Sequence, residues 1–239
     1  MNWDNIEFRQ ERKLYTGPCR VKVVAVNPTK DELCALLGLD PERTNDPTYD
    51  GRIDVYVKNE EHNITTKIAF FVDGDDVPPA GNGKIKYINQ YGRTAYLANP
   101  DDTSELDWFS RTGLRPAKNG EEELYAFFIN WINIDAEKGK FVLPYEDIAN
   151  GNIDVFTGAL ERFGDKEFVG LLGVTKGKYQ AMYAKDFGRT FNKKFNKVQW
   201  KNHDFTTDFQ EYVKPAEPDT MEGEVEFAAS GDGGDELPF

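Results

Sequence analysis

The sequence predicts a β-rich α+β body that carries a helical insertion and ends in an acidic tail. Three observations support that class. Apolar and polar residues alternate over Arg52–Lys58, with Ile53, Val55 and Val57 on one side and Asp54, Tyr56 and Lys58 on the other, the period of a half-buried strand. Leu124, Phe127, Phe128, Trp131 and Ile132 recur at helical spacing within Glu121–Ile134, which marks one strong amphipathic helix. Beyond Val213, Pro215 and Pro218 break the pattern and no periodicity returns, so the end of the chain is expected to be disordered.

The other elements follow in order. Val21, Val23, Val24 and Val26 make a strand of Arg20–Asn27. Thr29 and Glu32 have the spacing of a capping box, Leu33, Leu36 and Leu37 give a short helix its buried face, and Gly38 ends it. Ile64–Val72 is a second strand of the Arg52–Lys58 pair, joined by Asn59–His62. A turn-rich loop spans Asp73–Gly83, and Lys84–Leu97 is a third β segment, bent or folded into a hairpin at Gly92. Residues 99–119 are irregular, with Trp108 and Phe109 as anchors. A second helix is expected over Ile153–Phe163, and a hairpin over Glu167–Thr175 and Tyr179–Asp186, turned at Lys176-Gly177-Lys178.

Charge is sorted along the chain. The total is −13 over 239 residues, but Asp204–Phe239 holds eleven acids against Lys214, a net of −10, which leaves −3 on residues 1–203. Acidity therefore does not argue against an anionic ligand for the body. Cys19 and Cys34 are too few for a disulfide framework, and reduced buried thiols are expected. No apolar run has the length of a membrane span. Met1-Asn2-Trp3-Asp4 opens no basic-then-apolar leader, so the expected location is the cytoplasm.

Two stretches interleave cations with rings. Lys84–Tyr96 holds Lys84, Lys86 and Arg93 with Tyr87, Tyr91 and Tyr96, and no acid. On a straight strand its lysines and tyrosines take opposite faces, so one site requires a bend at Gly92 that brings Arg93 beside Tyr87 and Tyr91. Lys176–Lys201 carries a net +7 from Lys176, Lys178, Lys185, Arg189, Lys193, Lys194, Lys197 and Lys201 against Asp186. Its rings include Tyr179, Tyr183, Phe187, Phe191, Phe195 and Trp200; the i to i+4 spacing of Phe187, Phe191 and Phe195 also fits a helix turned to a core. Cations neutralise phosphates and release counterions, and flat rings stack on unpaired bases with little regard for sequence. Arg9, Arg12 and Lys13, with Tyr15, either extend this surface or form an arm for self-association.

The chain ends Asp232-Gly233-Gly234-Asp235-Glu236-Leu237-Pro238-Phe239. A terminal ring beside a free carboxylate, on a charged tether, suits a partner's apolar pocket flanked by Arg or Lys. This ending resembles the C-terminal tip of bacterial and phage single-stranded DNA-binding proteins, with Leu237 in place of the usual isoleucine and glycines in place of some acids. The resemblance covers about the last nine residues. It implies an elaborated OB-fold-like barrel over residues 1–205, with a helical insertion at about 100–165, and an acidic tail over 206–239. It also implies non-specific binding of single-stranded DNA in replication, recombination or repair. Asp235, Glu236, Leu237, Pro238 and Phe239 would then recruit replication or recombination proteins, in the bacterial host cell if the chain is phage-encoded.

Chemistry for other classes is sparse. His62 and His203 have no metal-ligand spacing with the cysteines, no phosphate-cradling loop is present, and Asp73-Gly74-Asp75-Asp76 lacks the remaining ligands of a calcium loop. No cofactor and no enzymatic activity are expected. The rival readings are a virion or assembly protein kept soluble by its tail, and a small metal-dependent nuclease built from scattered carboxylates.

Overall fold

The structure is a computed structural model that describes residues 13–132, 142–176, 178–182 and 209–214. Strand β1 (Tyr15–Val26) begins five residues before the expected start at Arg20. Helix α1 (Lys30–Leu37) starts on the expected capping box: Glu32 N–H donates to Thr29 Oγ1, and Thr29 N–H donates back to Glu32 Oε2 at 2.8 Å. Gly38 closes it in the left-handed region. Strands β2 (Arg52–Asn59) and β3 (Ile64–Phe71) pair in antiparallel register from Arg52↔Phe71 to Asn59↔Ile64. The third β segment is a hairpin, not one bent strand: β4 (Ile85–Ile88) and β5 (Thr94–Leu97) flank a turn in which Asn89 Oδ1 accepts from the N–H groups of Tyr91 and Arg93.

After α2 (Trp108–Arg111), the two-residue strand β6 (Arg115–Pro116) joins β4, which gives a small sheet in the order β5-β4-β6. Helix α3 (Glu121–Ile132) follows, then α4 (Tyr145–Ala149) and α5 (Asp154–Phe163). The insertion between β3 and the next long strand is thus part sheet as well as helical, and it begins earlier than residue 100. Strand β7 (Phe168–Thr175) and β8 (Tyr179–Met182) form the expected hairpin. The chain pairs with β1 once more at β9 (Gln210–Glu211), past the expected domain boundary at residue 205.

The main sheet runs β3-β2-β1-β7-β8, antiparallel throughout, with β9 on β1. The order β7-β1-β2-β3 is a Greek key. Strand β1 serves both halves: Gly17–Val21 pairs β7, and Lys22–Val26 pairs β2. Its register shifts between Val23 and Ala25, and such a bulge increases local twist and bends the strand. The path is not closed by a ladder. Its end strands, β3 and β8, are bridged by a bond from Thr66 Oγ1 to the Gln180 carbonyl at 3.1 Å. Gln180 also accepts from Tyr15 N–H and donates to the Tyr15 and Gly173 carbonyls, so one side chain satisfies backbone groups where β1 and β7 diverge.

Helix α3 fills the space under the sheet. Phe127 packs on Phe70 of β3 and Phe168 of β7, at ring separations of 5.3 and 5.9 Å. Phe128 meets Phe156 of α5 at 4.9 Å, and Trp131 donates its indole N–H to the Phe163 carbonyl. These are the residues whose spacing predicts the helix, and Phe127, Phe128, Trp131 and Phe156 are all buried. Both cysteines are free and buried, as expected, and burial pushes the Cys19 thiol up to about 12. Among the described residues no helix is long and apolar enough to cross a membrane.

Candidate nucleic-acid interface

The first basic-aromatic stretch does not form one surface. Tyr87 is buried beside Ile88. Lys86 is mostly buried and ion-paired with Glu122 of α3; burial opposes its charge, but the Glu122 carboxylate outweighs it and holds the pKa above the usual value. The strand alternates as expected, but α3 covers the face that carries Lys86, and Tyr87 on the other face is buried too, so neither side chain is presented on the surface as expected. Arg93 does not meet Tyr87. It lies 4.7 Å over the Phe109 ring and 3.1 Å from Asp107. Asp107 caps α2 through Ser110 N–H, and that bond first, then Arg93, holds its carboxyl below the usual range. Tyr91 meets Phe109 edge-on at 5.8 Å, and Phe109 meets Trp108, which is 67 % exposed. Lys84 and Tyr96 are exposed. This ring cluster sits in a loop with Asp101, Asp102, Glu105 and Asp107, an acidic setting for phosphate.

From the second stretch, Lys176 and Lys178 are exposed at the β7–β8 turn, beside Tyr179. Tyr183, Lys185, Arg189, Lys193, Lys194, Lys197, Trp200 and Lys201 lie outside the described residues, as do Arg9, Arg12, Phe187, Phe191, Phe195 and the tip Asp235–Phe239.

A third surface, one the sequence reading missed, gathers cations and rings on rigid backbone. On β3, Ile64, Thr66, Ile68 and Phe70 face the core, so Thr65, Lys67, Ala69 and Phe71 face out. Their partners on β2 are Lys58, Tyr56, Asp54 and Arg52. The shared outer face thus holds Arg52, Lys58 and Lys67 against Asp54, and Phe71 stands 66 % exposed opposite Arg52. Tyr56 is buried although it is on this face, and burial raises its pKa. The Tyr49 phenol, from the β1–β2 connection, lies close enough to feel the charges of Asp54 and Arg52 and is pushed up to about 12, chiefly by burial. Its hydroxyl donates to the Pro28 carbonyl at 2.6 Å, which holds the connection against the sheet. The Thr66–Gln180 bond brings the β7–β8 turn alongside β3. On β8, Gln180 and Met182 turn inward, so alternation puts the exposed Tyr179 on the outside.

The signal for this face was present in the sequence. Phe71 falls on the polar phase of its strand, where an apolar ring has no core to enter. Among the described residues, no three His, Cys, Asp or Glu side chains gather to hold a metal ion. No protein-family model, no curated protein and no solved structure matches this chain.

Proposed function

We propose that the protein binds single-stranded DNA without sequence specificity, as a non-enzymatic binder, and recruits partner proteins of replication, recombination or repair through its C-terminal tip. The observation that carries this reading is the outer face of β2 and β3, with its row of cations ending at an exposed Phe71. The strand order β3-β2-β1-β7-β8 supports comparison with the OB-fold, a five-stranded, partly open Greek-key barrel. In that barrel the face of strands 2 and 3 and the loops between strands 1 and 2 and strands 4 and 5 hold oligonucleotides. The counterparts here are the β2–β3 face, the connection bearing Tyr49, and the turn bearing Lys176, Lys178 and Tyr179. Cations grip phosphates there, and Phe71 and Tyr179 offer flat faces to bases.

The test is a titration of fluorescent oligo-dT at two salt concentrations. Phe71→Ala is expected to weaken binding by about 1–3 kcal/mol, the worth of one stacked base. Trp108→Ala, in the acidic loop, is expected to leave the affinity within twofold. An unchanged affinity for Phe71→Ala would move the strand off this face, and no binding by the unmodified protein would end the proposal.

The tail supplies the second half of the function. Ten net negative charges on Asp204–Phe239 compete with DNA for the cationic patches of the body, at a strength that falls as salt rises. Deletion of residues 215–239 is expected to tighten oligo-dT binding at low salt and to abolish capture of partners. Equal affinities for the full and shortened chains at low salt would remove the competition.

A further inference from the structure

Asp54 is the odd member of the β2–β3 face: an acid within a cationic row, and only 1 % exposed. Net charge alone makes it a liability for a surface that binds phosphate. Its contacts indicate a different role. Oδ2 accepts from Lys67 Nζ at 2.7 Å, and Oδ1 lies 2.9 Å from Arg52 Nε. The second approach is an ion pair without the alignment of a hydrogen bond, so Oδ1 and Nε both lack a hydrogen-bond partner among the described residues. Arg52 Nη2 donates to the Thr48 carbonyl at 3.2 Å. The backbone is fixed as well: Asp54 N–H donates to Asn27 Oδ1 at 2.7 Å, and Asn27 N–H to the Asp54 carbonyl at 2.9 Å. Both cations keep an open side, with 45 % of the Lys67 and 33 % of the Arg52 side chain exposed. Each has an anchor at its inner edge, and the Lys67 ammonium and the Arg52 guanidinium carry more N–H donors than the bonds described above use.

We infer that Asp54 is a positioning residue that holds Arg52 and Lys67 as a preset pair of donors for the sugar-phosphate backbone of a single strand. This rests on the single-strand binding proposed above. A mobile Lys or Arg surrenders rotamer freedom when it grips a phosphate, a loss of roughly two- to tenfold in affinity per side chain. A buried acid between two cations has already imposed that order. Its own repulsion of a phosphate is muted, because both neighbouring cations stand between it and the ligand.

Asp54→Asn separates the two views by sign. Loss of a negative charge from a cationic face, taken alone, predicts tighter binding of oligo-dT. Positioning predicts binding roughly three- to tenfold weaker at fixed salt, with a shallower fall of log K against log salt, by about 0.7 for each phosphate of a single strand that is no longer gripped. A purely structural defect does not move that slope when it is measured on folded protein well below the unfolding midpoint. Arg52→Met and Lys67→Met alter partly exposed side chains, and each is expected to lower the slope by about 0.7, so the idea remains testable if Asp54→Asn does not fold. Lys67→Arg is expected to restore most of the affinity that Lys67→Met removes. Equal or tighter binding by Asp54→Asn with an unchanged slope, or unchanged slopes in both methionine variants, overturns the positioning role and leaves single-strand binding standing. Failure of the unmodified protein to bind oligo-dT overturns both.

Discussion

Arg115→Ala is expected to destabilise the fold by about 3 kcal/mol, near the lower end of the cost of breaking a buried ion pair. The reason lies with its partner. Glu121, in the first turn of α3, is 0 % exposed. One carboxylate oxygen accepts from Arg115 Nη1 at 3.0 Å and from Lys118 N–H at 3.2 Å, and the other is paired with Arg115 Nη2. With Arg115 gone, a carboxylate remains in the interior with one backbone N–H for company. The Arg115 side chain is itself 44 % exposed, so water enters the vacated space and limits the penalty. Glu121→Gln is expected to cost less, about 1–2 kcal/mol, because the orphaned guanidinium still reaches solvent. Urea denaturation of both single variants and the double variant closes the cycle. A coupling energy of about 1–3 kcal/mol is expected for groups in direct contact; additive losses would show that the pair does not act as a unit.

That pair also shows what the sequence leaves hidden. Glu121, Glu122 and Glu123 read as three equivalent acids favouring the start of a helix. In the structure the first is buried on Arg115, and the second draws in Lys86 from β4. Nothing local separates the three, because the difference is set by β4 and β6, which pack beside the helix only once the small sheet has formed. Lys86 is drawn into its ion pair, and Tyr87 is buried, for the same reason. Their alternation is sound, but alternation assigns faces without saying which face a neighbour will cover. Thr29 and Glu32, the rings of α3 and the β2–β3 register depend on contacts close in sequence or on a strict period, and these were legible. Phe71 was legible too. A ring on the polar phase of a strand is a departure from pattern, and such departures mark either a second layer of packing or a binding surface.

Gly120→Ala is expected to cost about 2–4 kcal/mol, and its effect should reach the binding face. Gly120 has φ +73, a region that costs other residues roughly 1–2 kcal/mol. A methyl group there would also fall on the Phe71 carbonyl oxygen and lie 3.3 Å from Val72 Cγ1. Neither side yields easily: the carbonyl is main chain at the end of β3, and the Gly120 carbonyl accepts the first hydrogen bond of α3, from Leu124 N–H at 3.0 Å. To admit the methyl group, the end of β3 must move away from the helix and carry the Phe71 ring with it. Gly38→Ala is the control. Gly38 has a similar φ of +65, but a methyl group there meets nothing within 4 Å, so it should show the conformational cost alone, roughly 1–2 kcal/mol. Denaturation midpoints of the two variants isolate the collision, and oligo-dT titration of folded Gly120→Ala reports the displaced ring as weakened binding. Equal stability losses at the two glycines would mean that the start of α3 does not abut the end of β3. Normal DNA affinity despite a larger loss at Gly120 would detach Phe71 from the strand's path.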